Sequence, residues 1–272
     1  MDGRGLAERI RGQVAEEVKE LGSATLTTIL VGDDPASEIY IRRKQEAATE
    51  VGISARDYRL AQDTPERELL DLIDELNADG AADGILVQLP LPSQIDEHRA
   101  IEAVDPAKDV DGFHPINAGR LFLGHEGSVA ATPSGIMALL AEYDVPLNGA
   151  RAVVVGRSNI VGKPVSLLLL AEHATVTICH SRTVDLASHT READVLVVAV
   201  GQAGLVTPEM VKEGATVVDV GMNRTDDGLR GDVDPGVVER AGLLTPVPGG
   251  VGPMTIAALL RNTVTATRRR RW

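Results

Sequence analysis

Residues 151–164 read RAVVVGRSNIVGKP, from Arg151 to Pro164. A β-branched apolar run stops at Gly156, a short turn follows, and Val161–His173 opens as a helix containing Leu167–Leu170. Strand, glycine turn and helix in that order form the repeating unit of a parallel sheet. The same grammar continues downstream. Ala174–His180 reads as a strand, Asp185–Ala193 as a helix, and Val195–Gly201 and Ala215–Gly221 as strands flanking a helix at Pro208–Glu213. Apolar strands about 20 residues apart predict a parallel sheet covered on both faces.

The first half carries the same signals less regularly. Thr25–Gly32 (TLTTILVG) reads as a buried strand. Asp34 and Pro35 then stand at the cap and first position of a helix running to about Val51, and Gly52 ends it. Ala55–Leu60 is a short strand, and Pro65–Ala78 is an amphipathic helix with Leu69, Leu70, Leu72, Ile73 and Leu76 at helical spacing. Gly84–Leu89 is a strand stopped by Pro90 and Pro92. A loop-rich stretch, Pro106–Gly127, precedes a helix over Thr132–Tyr143 with Thr132 as its cap. A last helix is expected over Pro253–Thr267.

At 272 residues the chain suits two domains, and no run approaches the ~18 apolar residues of a membrane span. The N-terminus lacks the apolar core of a signal peptide, so a cytoplasmic location is expected. One cysteine, Cys179, leaves no internal disulfide or cysteine-cluster metal site, and no His pair has zinc spacing, so no metal is expected. The net charge of −13 makes nucleic acid a poor partner. The acidity reads equally as a solubility surface or as adaptation to a salt-rich cytoplasm. Arg268–Arg271 is the exception and reads as a solvated tail.

The turn after Gly156 lies where a parallel α/β sheet binds phosphates, on backbone N–H groups at a helix N-terminus. Its spacing departs from G-x-G-x-x-G, since Ser158 holds the second glycine position and one extra residue precedes Gly162. An NAD site usually ends its second strand in Asp or Glu, which bonds the ribose 2′-OH. This strand ends Cys179-His180-Ser181-Arg182-Thr183, with no carboxylate, and Arg157 lies in the first loop. A guanidinium fork suits a 2′-phosphate, so NADP is read over NAD. Read alone, Arg182 could equally be a solvated loop arginine.

In the N-terminal half, Ser37, Tyr40 and Lys44 fall on one helix face beginning at the end of a strand. Gln88 is a lone amide at the end of an apolar strand. A glutamine bonded to Lys44 could aim and tune it. Lys108-Asp109-Val110-Asp111-Gly112 follows, whose carboxylates could bond a heterocycle with N–H donors or merely close a turn.

Five segments together resemble a known family. They are Val31-Gly32 with Ser37, Tyr40 and Lys44; Asp83–Pro92 (DGILVQLPLP); Lys108–Gly112 (KDVDG); Gly156-Arg157-Ser158 with Val161–Pro164; and Thr245–Thr255 (TPVPGGVGPMT). In this order they resemble the bifunctional methylenetetrahydrofolate dehydrogenase/methenyltetrahydrofolate cyclohydrolase family, over essentially the whole chain. Ala131 stands where many members carry cysteine, and the loop Asn223–Gly231 is short.

The resemblance implies an α/β fold of two domains. The N-terminal α/β folate domain would comprise residues 1–132 and 250–272, with the C-terminal helix returning to it. A Rossmann-like doubly wound NADP domain would take residues 133–249. The resemblance further implies a homodimer through the NADP domains, and oxidation of 5,10-methylenetetrahydrofolate with NADP followed by hydrolysis to 10-formyltetrahydrofolate. Such chemistry belongs to one-carbon metabolism and purine biosynthesis. By the same resemblance Lys44 is the base or polarising group, Gln88 tunes it, Tyr40 stacks on the aminobenzoate ring and Asp111 holds the pterin, the four forming the catalytic set. Val87 and Leu89 line the substrate, and Pro248, Gly249, Gly250, Val251 and Gly252 approach it closely. Gly156, Arg157, Ser158, Ser181, Arg182 and Met222 line the cofactor. Two rivals stay open here: another NADP dehydrogenase of shikimate type, and a catalytically silent NADP-binding regulator.

Overall fold

The computed structural model describes residues 1–226 and 228–271. Its elements in chain order are α1 (Gly3–Leu21), β1 (Thr25–Val31), α2 (Pro35–Glu50), β2 (Ser54–Leu60), α3 (Glu66–Ala78) and β3 (Gly84–Val87). Next come α4 (Glu97–Ala103), α5 (Pro115–Phe122), α6 (Ala131–Glu142), β4 (Arg151–Val155), α7 (Gly162–Ala171), β5 (Thr175–Cys179), α8 (Leu186–Thr190) and β6 (Val195–Val198). The chain closes with β7 (Thr216–Asp219), β8 (Asn223–Thr225), β9 (Gly228–Arg230), β10 (Leu243–Leu244) and α9 (Val251–Arg271). Two compact units divide it: Arg9–Val129 with the chain from Leu259, and Met1–Glu8 with Ala130–Ala258.

In the first of these units, three parallel strands stand in the order β2-β1-β3. β1 is central and almost wholly buried, as its apolar and β-branched residues require. Leu69, Ile73 and Leu76 of α3 form one core with Ile29, Val31, Ile85 and Val87. Asp34 caps α2 as expected, its carboxylate accepting from Ser37 N at 2.8 Å, and Gly52 beyond the helix has φ 82°.

The expected solvated tail is instead a clasp. Arg270 and Arg271 reach opposite oxygens of Asp83 at 3.3 and 3.4 Å, and Arg270 also donates to Ala82 O at 2.6 Å. Asp83 is 3% exposed and accepts from Thr25 N as well. A buried carboxylate needs such partners, so the arginines hold the end of α9. Arg268 pairs with Glu17 at 2.9 Å.

The second unit carries five parallel strands in the order β10-β7-β6-β4-β5. The chain goes one way from β4 to β5 and the other way from β6 onward, so strand order reverses between β4 and β6. Ligands of open α/β sheets sit at that reversal, beyond the carboxyl ends of the strands. β8 and β9 form a separate antiparallel pair.

Several elements differ from expectation. α1, α4, α5, the β8–β9 pair and β10 were not anticipated, and Pro208–Met210 is a 3₁₀ turn rather than an α-helix. α5 begins at Pro115 behind His114, whose Nδ1 accepts from Ile116 N at 3.0 Å. Histidine is outside the usual capping set, which hid that start. Thr132 is not a cap: α6 begins at Ala131 with Ala130 before it, and Thr132 Oγ1 bonds Thr255 Oγ1 at 2.9 Å. α9 runs to Arg271, past the expected end at Thr267.

Candidate active site

In the unit of β1–β3, Ser37, Tyr40 and Lys44 lie on one face of α2, which starts just beyond β1. Ser37 and Lys44 are buried, whereas Tyr40 is 37% exposed. β3 runs beside β1, and Gln88 N donates to Ile29 O at 2.9 Å, which carries the pairing one residue beyond Val87. That pairing fixes Gln88 across from the helix. Lys44 Nζ donates to Gln88 Oε1 at 3.2 Å, and Gln88 Nε2 donates to Leu89 O at 2.6 Å. The second bond settles which way the amide faces, so its oxygen is the atom offered to Lys44. Val87 is buried and Leu89 half-buried.

Residues 108–114 divide their charges by role. Lys108 Nζ donates to Leu76 O, Asn77 O and Asp79 O at 2.8, 2.7 and 2.8 Å. Asp109 accepts from Gly112 N and Phe113 N on one oxygen, and from His114 N and Asn117 Nδ2 on the other. Asp109 therefore builds the turn. Asp111 is half-buried, and no hydrogen bond to its carboxylate is present among the described residues. Burial pushes its carboxyl up, the Lys44 charge pulls it down, and Asp109 adds to the rise. Lys44, Gln88 and Asp111 thus provide a donor, an amide and an uncommitted acid in one unit. Spacing alone left Asp109 and Asp111 undistinguished, and only the resemblance named Asp111; the folded loop shows which of the two has spent its oxygens.

In the other unit, Gly156 ends β4 with φ 131°, and a Cβ there would collide with the Ala199 carbonyl oxygen. Gly162 opens α7, and a Cβ on it would collide with the Gly156 backbone. Ser158 Oγ accepts from Val161 N at 3.2 Å and Gly162 N at 3.3 Å, closing the turn. Lys163 N donates to Ser158 O at 3.0 Å and Pro164 has no N–H, so the start of α7 is satisfied from within. Among the described residues the N–H groups of Arg157, Ser158, Asn159 and Ile160 in the turn itself have no acceptor and remain for a phosphate. β5 ends at Cys179, and exposed Ser181 and Arg182 follow it. Arg157 and Arg182 are both exposed, and neither has an ion-pair partner among the described residues. Two uncommitted guanidiniums with no carboxylate at the strand end fit a 2′-phosphorylated dinucleotide.

Met222, 42% exposed, lies beyond β7. Pro248, Gly249, Gly250, Val251 and Gly252 belong to this same unit. Gly249 has φ 113°, and its carbonyl accepts from Gly3 N at 3.1 Å. Among the described residues, no group of three or more His, Cys, Asp or Glu is placed to hold a metal ion.

Known proteins resemble the chain over its whole length. Residues 1–111 match the family described as tetrahydrofolate dehydrogenase/cyclohydrolase, catalytic domain, and residues 130–271 match its NAD(P)-binding domain. The bifunctional protein FolD of Halothermothrix orenii is 56% identical over 275 residues, covering 98% of this chain and 97% of that one. The crystal structure of the bifunctional enzyme FolD, methylenetetrahydrofolate dehydrogenase/cyclohydrolase, from Campylobacter jejuni has a TM-score of 0.98 at 47% identity, covering 99% and 98% of the two chains. The Trypanosoma brucei methylenetetrahydrofolate dehydrogenase-cyclohydrolase, crystallised with NADP cofactor and inhibitor, has a TM-score of 0.94 at 40% identity, covering 99% and 97%.

Proposed function

The chain belongs to the tetrahydrofolate dehydrogenase/cyclohydrolase family, and from that premise we propose how its own residues carry the two reactions. It oxidises 5,10-methylenetetrahydrofolate to the methenyl form with NADP and hydrolyses that form to 10-formyltetrahydrofolate. The observation that carries the assignment of residues is the Lys44–Gln88 contact at 3.2 Å. NADP, when bound, supplies the hydride acceptor for the first reaction. Gly156 and Gly162 let backbone approach its phosphates, while Arg157, Ser158, Ser181 and Arg182 surround the 2′-phosphate side and Met222 the other end. No proton leaves the carbon in that step, so the chain chiefly orients.

The second reaction needs a proton relay. Water forms a C–O bond at the methenyl carbon and gives up one proton. The C–N5 bond then breaks, N5 takes a proton, and the new hydroxyl loses its own to leave the formyl C=O, so one proton is released to solvent overall. Lys44 Nζ is aimed by the Gln88 amide and can carry that proton. Asp111 holds the pterin N–H groups, and exposed Tyr40 stacks on the aminobenzoate ring. Val87 and Leu89 flank Gln88, and Pro248–Gly252 give a side-chain-poor approach for the folate.

The homodimer is proposed through β5, an outer strand of the five-stranded sheet. Ile178 on it, Leu170 on α7 and Val184 beyond it are 43%, 57% and 85% exposed. An open edge with apolar neighbours invites a second copy. Ile178→Lys is expected to shift sedimentation toward monomer. The single buried cysteine fits a reducing, cytoplasmic compartment, and no described helix is long and apolar enough to cross a membrane. Nucleic acid is not proposed as a partner.

The test is incubation with methylenetetrahydrofolate and NADP, following NADPH and the methenyl absorbance together. Both signals are expected, with kcat/KM at least about tenfold higher for NADP than for NAD, which needs only ~1.4 kcal/mol of differential binding. Equal use of the two cofactors overturns the roles given to Arg157 and Arg182. No turnover of either substrate overturns the function.

A further inference from the structure

Two buried carboxylates outside the dinucleotide turn organise the same end of the five-stranded sheet. Asp232 follows β9 and is wholly buried. Its Oδ2 accepts from Val200 N at 2.7 Å and Gly201 N at 2.9 Å. Its Oδ1 accepts from Gln202 N and Asn223 Nδ2, both at 2.8 Å. Three of these donors are consecutive backbone N–H groups in the loop leaving β6. That loop begins at Ala199, whose carbonyl oxygen is the atom a side chain on Gly156 would strike. The loop is therefore one wall of the dinucleotide turn, and Asp232 holds that wall.

Asp219 ends β7. Its Oδ1 accepts from Gly221 N at 3.0 Å and Asp232 N at 2.8 Å, and its Oδ2 accepts from Val233 N at 3.1 Å. Its own N donates to Thr245 Oγ1 at 2.8 Å. Asp219 thus ties down both the loop that carries Met222 and the segment that carries Asp232. Gly221 and Gly231 make room: a Cβ on Gly231 would collide with the Asp219 carboxylate, and one on Gly221 with Asp232.

We propose that Asp232 and Asp219 are positioning residues for the dinucleotide site, Asp232 setting the loop after β6 and Asp219 the loop after β7. The proposal rests on reading the Gly156 turn as the NADP site.

Burial pushes the Asp219 carboxyl up to about 6, helped by the Asp232 charge and opposed by the three backbone N–H groups. The charged groups facing it are Asp232 and, around a cavity of about 580 Å³ that Asp219 also lines, Arg230 and Asp234. Because the folded value is above the ordinary one, ionisation of Asp219 opposes folding, and that cost shrinks as pH falls below about 6 and is gone below the ordinary value of 3.8. Through this group acid does not unfold the chain. It converts an acceptor oxygen facing N–H groups into a donor, which loosens the loop after β7.

The experiment measures the NADP dissociation constant of wild type, Asp232→Asn and Asp219→Asn between about pH 5 and pH 8, and both half-reactions near neutrality. Asp232→Asn is expected to weaken NADP, and to lower dehydrogenase kcat/KM, by about tenfold or more. Methenyl hydrolysis, which uses no NADP, should stay within about twofold. For Asp219→Asn the ratio of its constant to that of wild type should be about tenfold at pH 8 and approach one at pH 5. The cofactor's own 2′-phosphate titrates near pH 6 in every protein alike, so the ratio is the readout. If Asp232→Asn does not fold, Asn223→Ala removes one of the four donors and should show the same split at roughly threefold.

Equal loss of both half-reactions in a folded variant, an unchanged dissociation constant, or a ratio that ignores pH overturns the proposal. Wild-type protein that binds NADP but turns over neither substrate overturns the functional reading alone, and the binding measurements still decide the positioning pair.

Discussion

Two lysines in the same unit are buried almost equally, Lys44 at 9% and Lys108 at 2% exposure, yet their surroundings are opposite. Lys108 sends all three ammonium protons to carbonyl oxygens at the end of α3. It is a helix C-cap built from a distant side chain, favoured by the negative end of the helix. Burial and the nearby Arg270 charge hold its ammonium below the usual lysine range. Among the described residues Lys44 has one acceptor, the Gln88 amide oxygen, and so retains protons to give. Burial therefore does not mark a reactive lysine; unspent hydrogen-bonding capacity does. The aspartates repeat the lesson two residues apart, Asp109 with four donors and Asp111 with none among the described residues.

The sharpest way to break this contrast is Lys44→Met. Cyclohydrolase activity is expected to fall about 10²–10⁴-fold while methylene oxidation survives at a reduced rate, so the methenyl compound accumulates. The melting temperature should barely move. Equal losses in the two half-reactions, with NADP binding intact, would remove Lys44 as the proton carrier.

Lys108→Met should behave in reverse. Three carbonyls lose their donor, at a cost of about 2–4 kcal/mol of stability by urea unfolding, while kcat of the folded protein stays near normal. A stable but inactive variant would erase the distinction between the two lysines.

Asp83→Asn probes the clasp near the Lys108 side, where Arg270 and Arg271 meet one carboxylate. The expected loss is about 1–3 kcal/mol with activity retained, since the arginines keep some carbonyl partners. An unchanged unfolding midpoint would return the arginines to the status of a solvated tail.

Salt should have the smallest effect, and none through either buried lysine. With a net charge of −13, melting temperature is expected to rise as KCl goes from dilute buffer to molar levels, because screening relieves repulsion among exposed carboxylates. A flat or falling curve would leave the acidity as a solubility surface.

Much of the fold was legible because its signals are local. β1, β3, β4, β6 and β7 are apolar runs ended by glycine, proline or polar turns, and Asp34-Pro35 marks the start of α2 within two residues. α1 carries buried Leu6, Ala7, Val14 and Val18 at helical spacing, a signal masked by Gly3, Gly5 and Gly12 and by its polar content. The candidate site was legible as spacing: Tyr40 to Lys44 along one turn, and Gly156 to Gly162 between a strand and a helix.

The sequence alone determined the α/β class, the parallel sheets, the glycine turn and the missing carboxylate after β5, since each depends on residues a few positions apart. Only the tertiary structure decided which of two lysines and two aspartates is spent on architecture. It alone joined Arg270 to Asp83, 187 residues away, and Asp232 to Val200, 32 away. A polar side chain becomes structural or available according to the donors and acceptors that folding brings to it. Those partners lie far off in the chain, where no local pattern records them.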